Sequence, residues 1–273
     1  MTVTGSDGAG EFPMPVRRFL AHAEAYLQRG DVVLLKGKVS LYSWSIRWWT
    51  ASEFSHAAMV FSVPSHEDGF ERTFLIEAGT SGVDLTDLSH YAIDLARVYD
   101  IAIKRCERPW MTVEIQRVIR GHMLNFIKAS YDYFKVVALF RSLLSNTIFG
   151  LSAGIEGIDK AVRRSVRWSK TPPSRFLCSG FVQYGFISAV RRLIKAGRLP
   201  DSALAEVIFK PHLTGGADAT AILATTPEDL AQSDRLVWHY AIRRGRVFRV
   251  ESYAQVKAIF RGVHVVTSAP LPR

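Results

Sequence analysis

Cys106 and Cys178 are the only thiols in the 273-residue chain, and Cys178 stands where a nucleophile belongs. It lies in Pro-Pro-Ser-Arg-Phe-Leu-Cys-Ser-Gly-Phe-Val-Gln-Tyr-Gly-Phe. After Pro172 and Pro173, the residues Phe181, Val182, Gly185, Phe186, Ala189 and Val190 recur at helical spacing, which puts Cys178 in the first turn of a helix. Backbone N–H groups there lack intrahelical partners and the helix dipole is positive, so a thiolate is favoured. With a histidine beside it, such a thiol titrates at roughly 3.5 to 7.5 instead of about 8.5. The thiolate is the attacking species in acyl transfer.

A base and an orienting carboxylate complete that chemistry. His56 opens the run Ser-His-Ala-Ala-Met-Val-Phe, an imidazole at the wet end of an apolar strand. Glu77, in Phe-Leu-Ile-Glu-Ala-Gly, is an ionisable carboxylate closing a second apolar strand, and inside a sheet it requires a partner. Each residue alone has a plainer explanation: a free cysteine packs, a histidine at a strand end is structural, and an edge carboxylate faces water. Together they have the composition of a cysteine hydrolase site.

The elements that must position these residues are read from hydrophobic periodicity. Pro15 to Gln28 reads as an opening helix with Val16, Phe19, Leu20, Ala23 and Leu27 on one face, closed by Gly30. Strands are expected over Asp31 to Lys36, His56 to Val63, Thr73 to Ala78 and Tyr99 to Cys106, with peripheral strands at Arg246 to Ser252 and Val263 to Thr267. From Met111 the period becomes helical, with Ile115, Val118, Ile119, His122 and Phe126 on one face. A Tyr131-Asp132-Tyr133 break, the apolar segment Phe134 to Phe149 and a basic helix from Ile158 to Trp168 follow. Thr226 before Pro227 reads as a helix N-cap. The Trp-rich stretch with Tyr42, Trp44, Trp48 and Trp49 is either core or cleft lining.

Four motifs occur in a telling order: Gly-Asp-Val-Val-Leu-Leu, Ser-His-Ala-Ala-Met-Val, Ile-Glu-Ala-Gly with Gly-Val-Asp-Leu after it, and Phe-Leu-Cys-Ser-Gly-Phe-Val. In this order they resemble the circularly permuted papain-like amidases of the NlpC superfamily, YaeF/YiiX type, over roughly Gly30 to Arg191. The Thr-Pro-Glu-Asp-Leu stretch at Pro227 is similar to a later segment of the same proteins. The resemblance implies an α+β, permuted papain-like fold: a small antiparallel sheet or barrel packed on helices, with the nucleophile helix C-terminal to the strands. Matched residue by residue, it implies Cys178 as nucleophile, His56 as base and Glu77 as its acidic partner. Two departures stand out, Gly180 where many relatives carry an acidic residue and the long segment Tyr131 to Arg175 before the cysteine. The activity implied is cleavage of an amide or isopeptide bond through a thioacyl-enzyme, with the Cys178 N–H as one oxyanion donor. The alternatives are a lipid acyltransferase or thioesterase on the same core, and a non-catalytic binding module.

Composition bounds the rest. With 48% hydrophobic and 22% charged residues, the chain can bury a real core. It reads as a disordered start, 1–12, followed by a single domain over 13–273 with a helical, apolar and basic insertion at about 131–175. Two cysteines exclude a disulfide framework and fit a reducing, cytoplasmic setting, and no secretory leader is visible. No stretch reaches the roughly 18 apolar residues of a membrane span, so the expected location is cytoplasmic or peripheral to a membrane. The net charge of +10 is dispersed over three groups: Arg163, Arg164, Arg167 and Lys170; Arg191, Arg192, Lys195 and Arg198; and Arg243, Arg244, Arg246 and Arg249. These read as solvated faces, with an anionic membrane or lipid as the other option and no specific nucleic acid. His22, His66, His90, His122, His212, His239 and His264 show no metal-ligand spacing, so neither metal nor cofactor is expected. The expected ligand is a small amide, peptide or acyl compound.

Overall fold

Short runs of Val, Ile, Leu and Ala, cut by glycine, aspartate and serine, build one sheet in the computed structural model, which describes residues 12–38, 52–65, 69–79, 81–127, 130–131, 175–176, 178–210 and 224–263. Its strands are β1 (Met14–Pro15), β2 (Val32–Gly37), β3 (His56–Ser62), β4 (Phe74–Gly79), β5 (Gly82–Asp87), β6 (Tyr99–Arg105), β9 (Val237–Arg243) and β10 (Arg246–Arg249). They lie in the order β1-β10-β9-β6-β2-β3-β4-β5, each paired antiparallel with its neighbours. Two further short strands, β7 (Ser130–Tyr131) and β8 (Arg175–Phe176), pair in parallel with each other. Ser130 is paired with Arg175 and Tyr131 with Phe176.

Both faces of the sheet are covered, which is why β2 and β3 read as continuous apolar runs instead of alternating ones. On one face Val32, Leu34, Ala57, Met59 and Ile76 pack with residues of α3 (Val113–Leu124), α4 (Cys178–Lys195) and α7 (Tyr253–Arg261). On the other, Val33, Leu35, Ala58, Val60 and Leu75 pack with Phe19, Ala23 and Leu27 around α1 (Val16–Ala21) and α2 (Ala23–Tyr26). Short helices α5 (Ser202–Glu206) and α6 (Pro227–Gln232) lie in the later part of the chain. Among the described residues, no helix is long and apolar enough to cross a membrane.

Helix α4 is the core helix, with Cys178 to Gln183 all buried. Its buried polar side chains are satisfied: Ser179 Oγ donates to Thr225 O at 2.6 Å, Gln183 Nε2 donates to Val207 O at 2.6 Å, and Gln183 Oε1 accepts from Phe209 N at 2.7 Å. These bonds meet the cost of burying an amide and a hydroxyl and fix the roll of the helix. Thr226 caps α6 as expected, in a reciprocal box with Asp229.

Several expectations are corrected. The opening helix is two pieces, because His22 (φ −125°, ψ 37°) leaves the helical region between α1 and α2; its face nonetheless stays buried through Val16, Phe19, Ala23 and Leu27. The sheet is not small, since β5 and β9 join it. Of the two strands that follow α4, the one at Arg246 was expected as peripheral and β9 was not; β9 enters the sheet beside β6, and β10 lies between β9 and β1. The strand at Arg246 stops at Arg249, because Ser252 starts α7 by accepting from Gln255 N. Val263 follows α7 without strand structure, and the rest of that expected strand, 264–267, lies outside the described residues. Also outside them are the Trp-rich stretch 40–50, the apolar and basic segments over 134–168, and the start 1–11.

Candidate active site

Ser55 sets the start of β3. Its N–H donates to Leu35 O at 2.9 Å and its Oγ accepts from Gly37 N at 3.0 Å, tying this end of β3 to the end of β2. His56 follows directly, opposite Leu35. On the other side, Ala58 pairs with Glu77 of β4, so His56 and Glu77 are diagonal neighbours on one face. The diagonal brings His56 Nε2 within 2.7 Å of Glu77 Oε2. One strand further, Glu77 pairs with Asp84 and Leu75 with Thr86, so Thr86 stands diagonal to Glu77 in turn. Thr86 Oγ1 donates to Glu77 Oε1 at 2.5 Å.

A fourth group reaches Glu77 from outside the sheet. Tyr91 belongs to a single π-helical turn, His90–Asp94, between β5 and β6. Its hydroxyl lies 2.9 Å from Oε1 and 3.1 Å from Oε2. Both carboxylate oxygens are thus engaged, Oε2 by the imidazole and Oε1 by two hydroxyls.

Cys178 is the first residue of α4, and the N-terminus of that helix meets β3 at the histidine. The sulfur is hydrogen-bonded to the His56 ring and receives the backbone N–H groups of Ala57 and Ser179. Because Nε2 is held by Glu77, Nδ1 is the ring nitrogen left for the sulfur. Cys178 is 7% exposed and Glu77 6%, whereas the His56 side chain is 20% exposed, so solvent reaches the site past the imidazole.

The electrostatics follow from this line of contacts. Burial pushes the Cys178 thiol up, but the charge and hydrogen bond of His56 and the two backbone N–H groups outweigh it, and the thiol titrates below its ordinary 9.0. For His56, burial disfavours the cation; the Cys178 thiolate first and Glu77 second overcome it and raise the pKa to about 10. Burial likewise opposes ionisation of Glu77, yet His56, Thr86 and Tyr91 hold it below 4.5. The two shifts act in the same sense: each favours the thiolate–imidazolium form of the pair, with the Glu77 carboxylate behind it. Cys106 is the contrast: burial pushes its thiol up to about 12.

No family model matches this chain, and no curated protein matches it.

The three residues singled out by sequence, Cys178, His56 and Glu77, are therefore brought into one hydrogen-bonded line. Among the described residues no group of His, Cys, Asp and Glu is gathered to hold a metal ion. Sequence reading missed Thr86 and Tyr91. Thr86 was within reach, since a hairpin pairing Gly79 with Gly82 places Thr86 on the face of Glu77 by period-two counting. Tyr91 had no such signal, because its position depends on a π turn that periodicity does not reveal.

Proposed function

We propose that this chain is a cysteine hydrolase that cleaves an amide or isopeptide bond through a thioacyl-enzyme, built on a circularly permuted papain-like scaffold. The observation that carries this reading is the Cys178–His56–Glu77 line, with its thiolate at the first turn of a buried helix. Cys178 Sγ attacks the carbonyl carbon, and the tetrahedral intermediate collapses by breaking the C–N bond while His56 delivers its proton to the leaving amine. A water then gives its proton to His56 and attacks the thioester, releasing the acid and restoring the thiolate. Glu77 holds the ring so that Nδ1 faces the sulfur throughout. The Cys178 N–H, one of the first-turn donors without an intrahelical partner, serves the oxyanion.

A second reading keeps this core and makes the substrate a lipid acyl ester or thioester. What favours it is a group of exposed arginines at the same end of the sheet as His56.

The test is alkylation of the folded protein as a function of pH, with the modified cysteine identified by mass. The lowered pKa of Cys178 means that its thiolate persists below pH 9.0, so its reaction extends to the acid side of an ordinary thiol. Cys106, raised to about 12, stays inert over the same range. His56→Ala removes the cation that favours the thiolate and moves the Cys178 profile to higher pH. A Cys178 that reacts only after unfolding sinks the hydrolase reading and leaves a binding module.

A further inference from the structure

Five arginines from opposite ends of the described chain are assembled on one edge of the molecule. Arg17 and Arg18 lie in the first turn of α1, and Arg244, Arg246 and Arg249 lie on the β9–β10 hairpin; all five are exposed. The pairing of β1 with β10 joins the two groups, with Pro15 opposite Arg246 and Val16 N donating to Gly245 O at 2.9 Å. No described carboxylate is ion-paired with any of them. The exposed acids nearest in the chain are Glu24 on α2 and Glu251 beyond β10.

The hairpin tip makes the same point through its backbone. Arg243 pairs with Arg246 across a two-residue turn, Arg244-Gly245, with φ 48° and 75°. This geometry favours Asn-Gly, yet an arginine occupies the left-handed position and projects from the tip.

The register places this edge relative to the catalytic line. One row of paired residues runs His56, Leu35, Ile101, Ile242, Val247, Met14 across the sheet. The arginine tip lies just past that row, at the end of the sheet where β3 begins with His56. Four strand spacings of about 4.8 Å put β10 roughly 19 Å to the side of β3.

We propose that this arginine edge docks the protein on an anionic lipid bilayer, with the Cys178–His56 site opening at the same end of the sheet. Guanidinium groups fit the phosphates of lipid headgroups bidentately. A single-stranded nucleic acid is the poorer match, because it needs aromatic faces for its bases. The rings beneath this edge, Phe12, Phe19, Tyr26 and Tyr240, are spent packing on one another. Docking does not depend on the cysteine chemistry; only its consequence, delivery of membrane-borne acyl substrates to Cys178, rests on the proposed function.

The test is co-sedimentation of the full chain with vesicles of phosphatidylcholine alone and of phosphatidylcholine with phosphatidylglycerol. Binding is expected only with the anionic lipid and falls as salt rises. Each arginine near the surface is worth about a fivefold change in affinity, so R17Q/R18Q/R244Q/R246Q lowers binding by a factor of several hundred. The control R117Q/R192Q/K195Q, which removes exposed charges on α3 and α4, keeps most of the affinity. Cys178→Ala binds like the wild type, which separates failure of docking from failure of the hydrolase reading. Absence of vesicle binding, equal losses in both charge variants, or tighter binding to a single-stranded oligonucleotide than to vesicles at the same salt overturns the proposal.

Discussion

Glu77 is more tightly held than a carboxylate needs to be merely to survive burial. One bond to His56 would pair its charge; Thr86 and Tyr91 add donors on the remaining oxygen and limit rotation of the group. A freely rotating carboxylate lets the imidazole turn, and the Nδ1 direction toward Cys178 is lost with it. A hydrogen bond to a charged group is worth about 1.5–3 kcal/mol, and 1.4 kcal/mol is a factor of ten. Tyr91→Phe, which removes only the hydroxyl, is therefore expected to lower turnover about tenfold and to move the Cys178 alkylation profile modestly upward in pH. Glu77→Gln should move it further. The comparison is made on folded protein with matched circular dichroism, and an unmoved profile in Tyr91→Phe would mean that Thr86 alone holds the carboxylate.

At the scale of elements, the crossing of α3 and α4 is what presents Cys178 to the sheet. Gly185 permits that crossing: a Cβ at this position would lie 2.6 Å from Met123 Sδ and 2.7 Å from its Cγ. Met123 is fully buried, so it has little room to retreat. Overpacking of this kind costs about 1–3 kcal/mol, against about 1 kcal/mol gained from alanine's helix propensity. Gly185→Ala should thus lower stability by about 1 kcal/mol in urea unfolding, and adding Met123→Ala should remove the overpacking contribution. Stabilisation by Gly185→Ala alone would show that the crossing tolerates a methyl. The helical period of α4 was legible because its apolar residues face one core. The break between α1 and α2 was not, since the apolar face continues across His22 and only the backbone changes.

Across the whole molecule, the later part of the chain is fastened to the sheet by Lys104. This side chain on β6 is fully buried, and its Nζ donates to Leu230 O at 3.0 Å, Ala231 O at 2.7 Å and Ser233 O at 2.8 Å while lying 4.5 Å from the Trp238 ring. It satisfies carbonyls at the end of α6 that the helix itself leaves open. Lys104→Met should cost about 2–4 kcal/mol, read as a lower urea midpoint with an unchanged slope, because three buried carbonyls lose their donor. A loss below about 0.5 kcal/mol would mean that these carbonyls find other partners. Nothing local announced this role, as Lys104 follows the apolar run Ile101–Ile103 beside a second basic residue, Arg105, and its partners lie far along the chain. The same holds for the site. Sequence alone determined the core strands, the α4 helix and the residue types at 56, 77 and 178, because periodicity and helix-start chemistry are local. Only the tertiary structure decided that β9 and β10 join the sheet, that Thr86 and Tyr91 converge on Glu77, and that Arg17 and Arg18 meet Arg244 and Arg246. Those pairings depend on strand register and on contacts between distant segments, which no local pattern encodes.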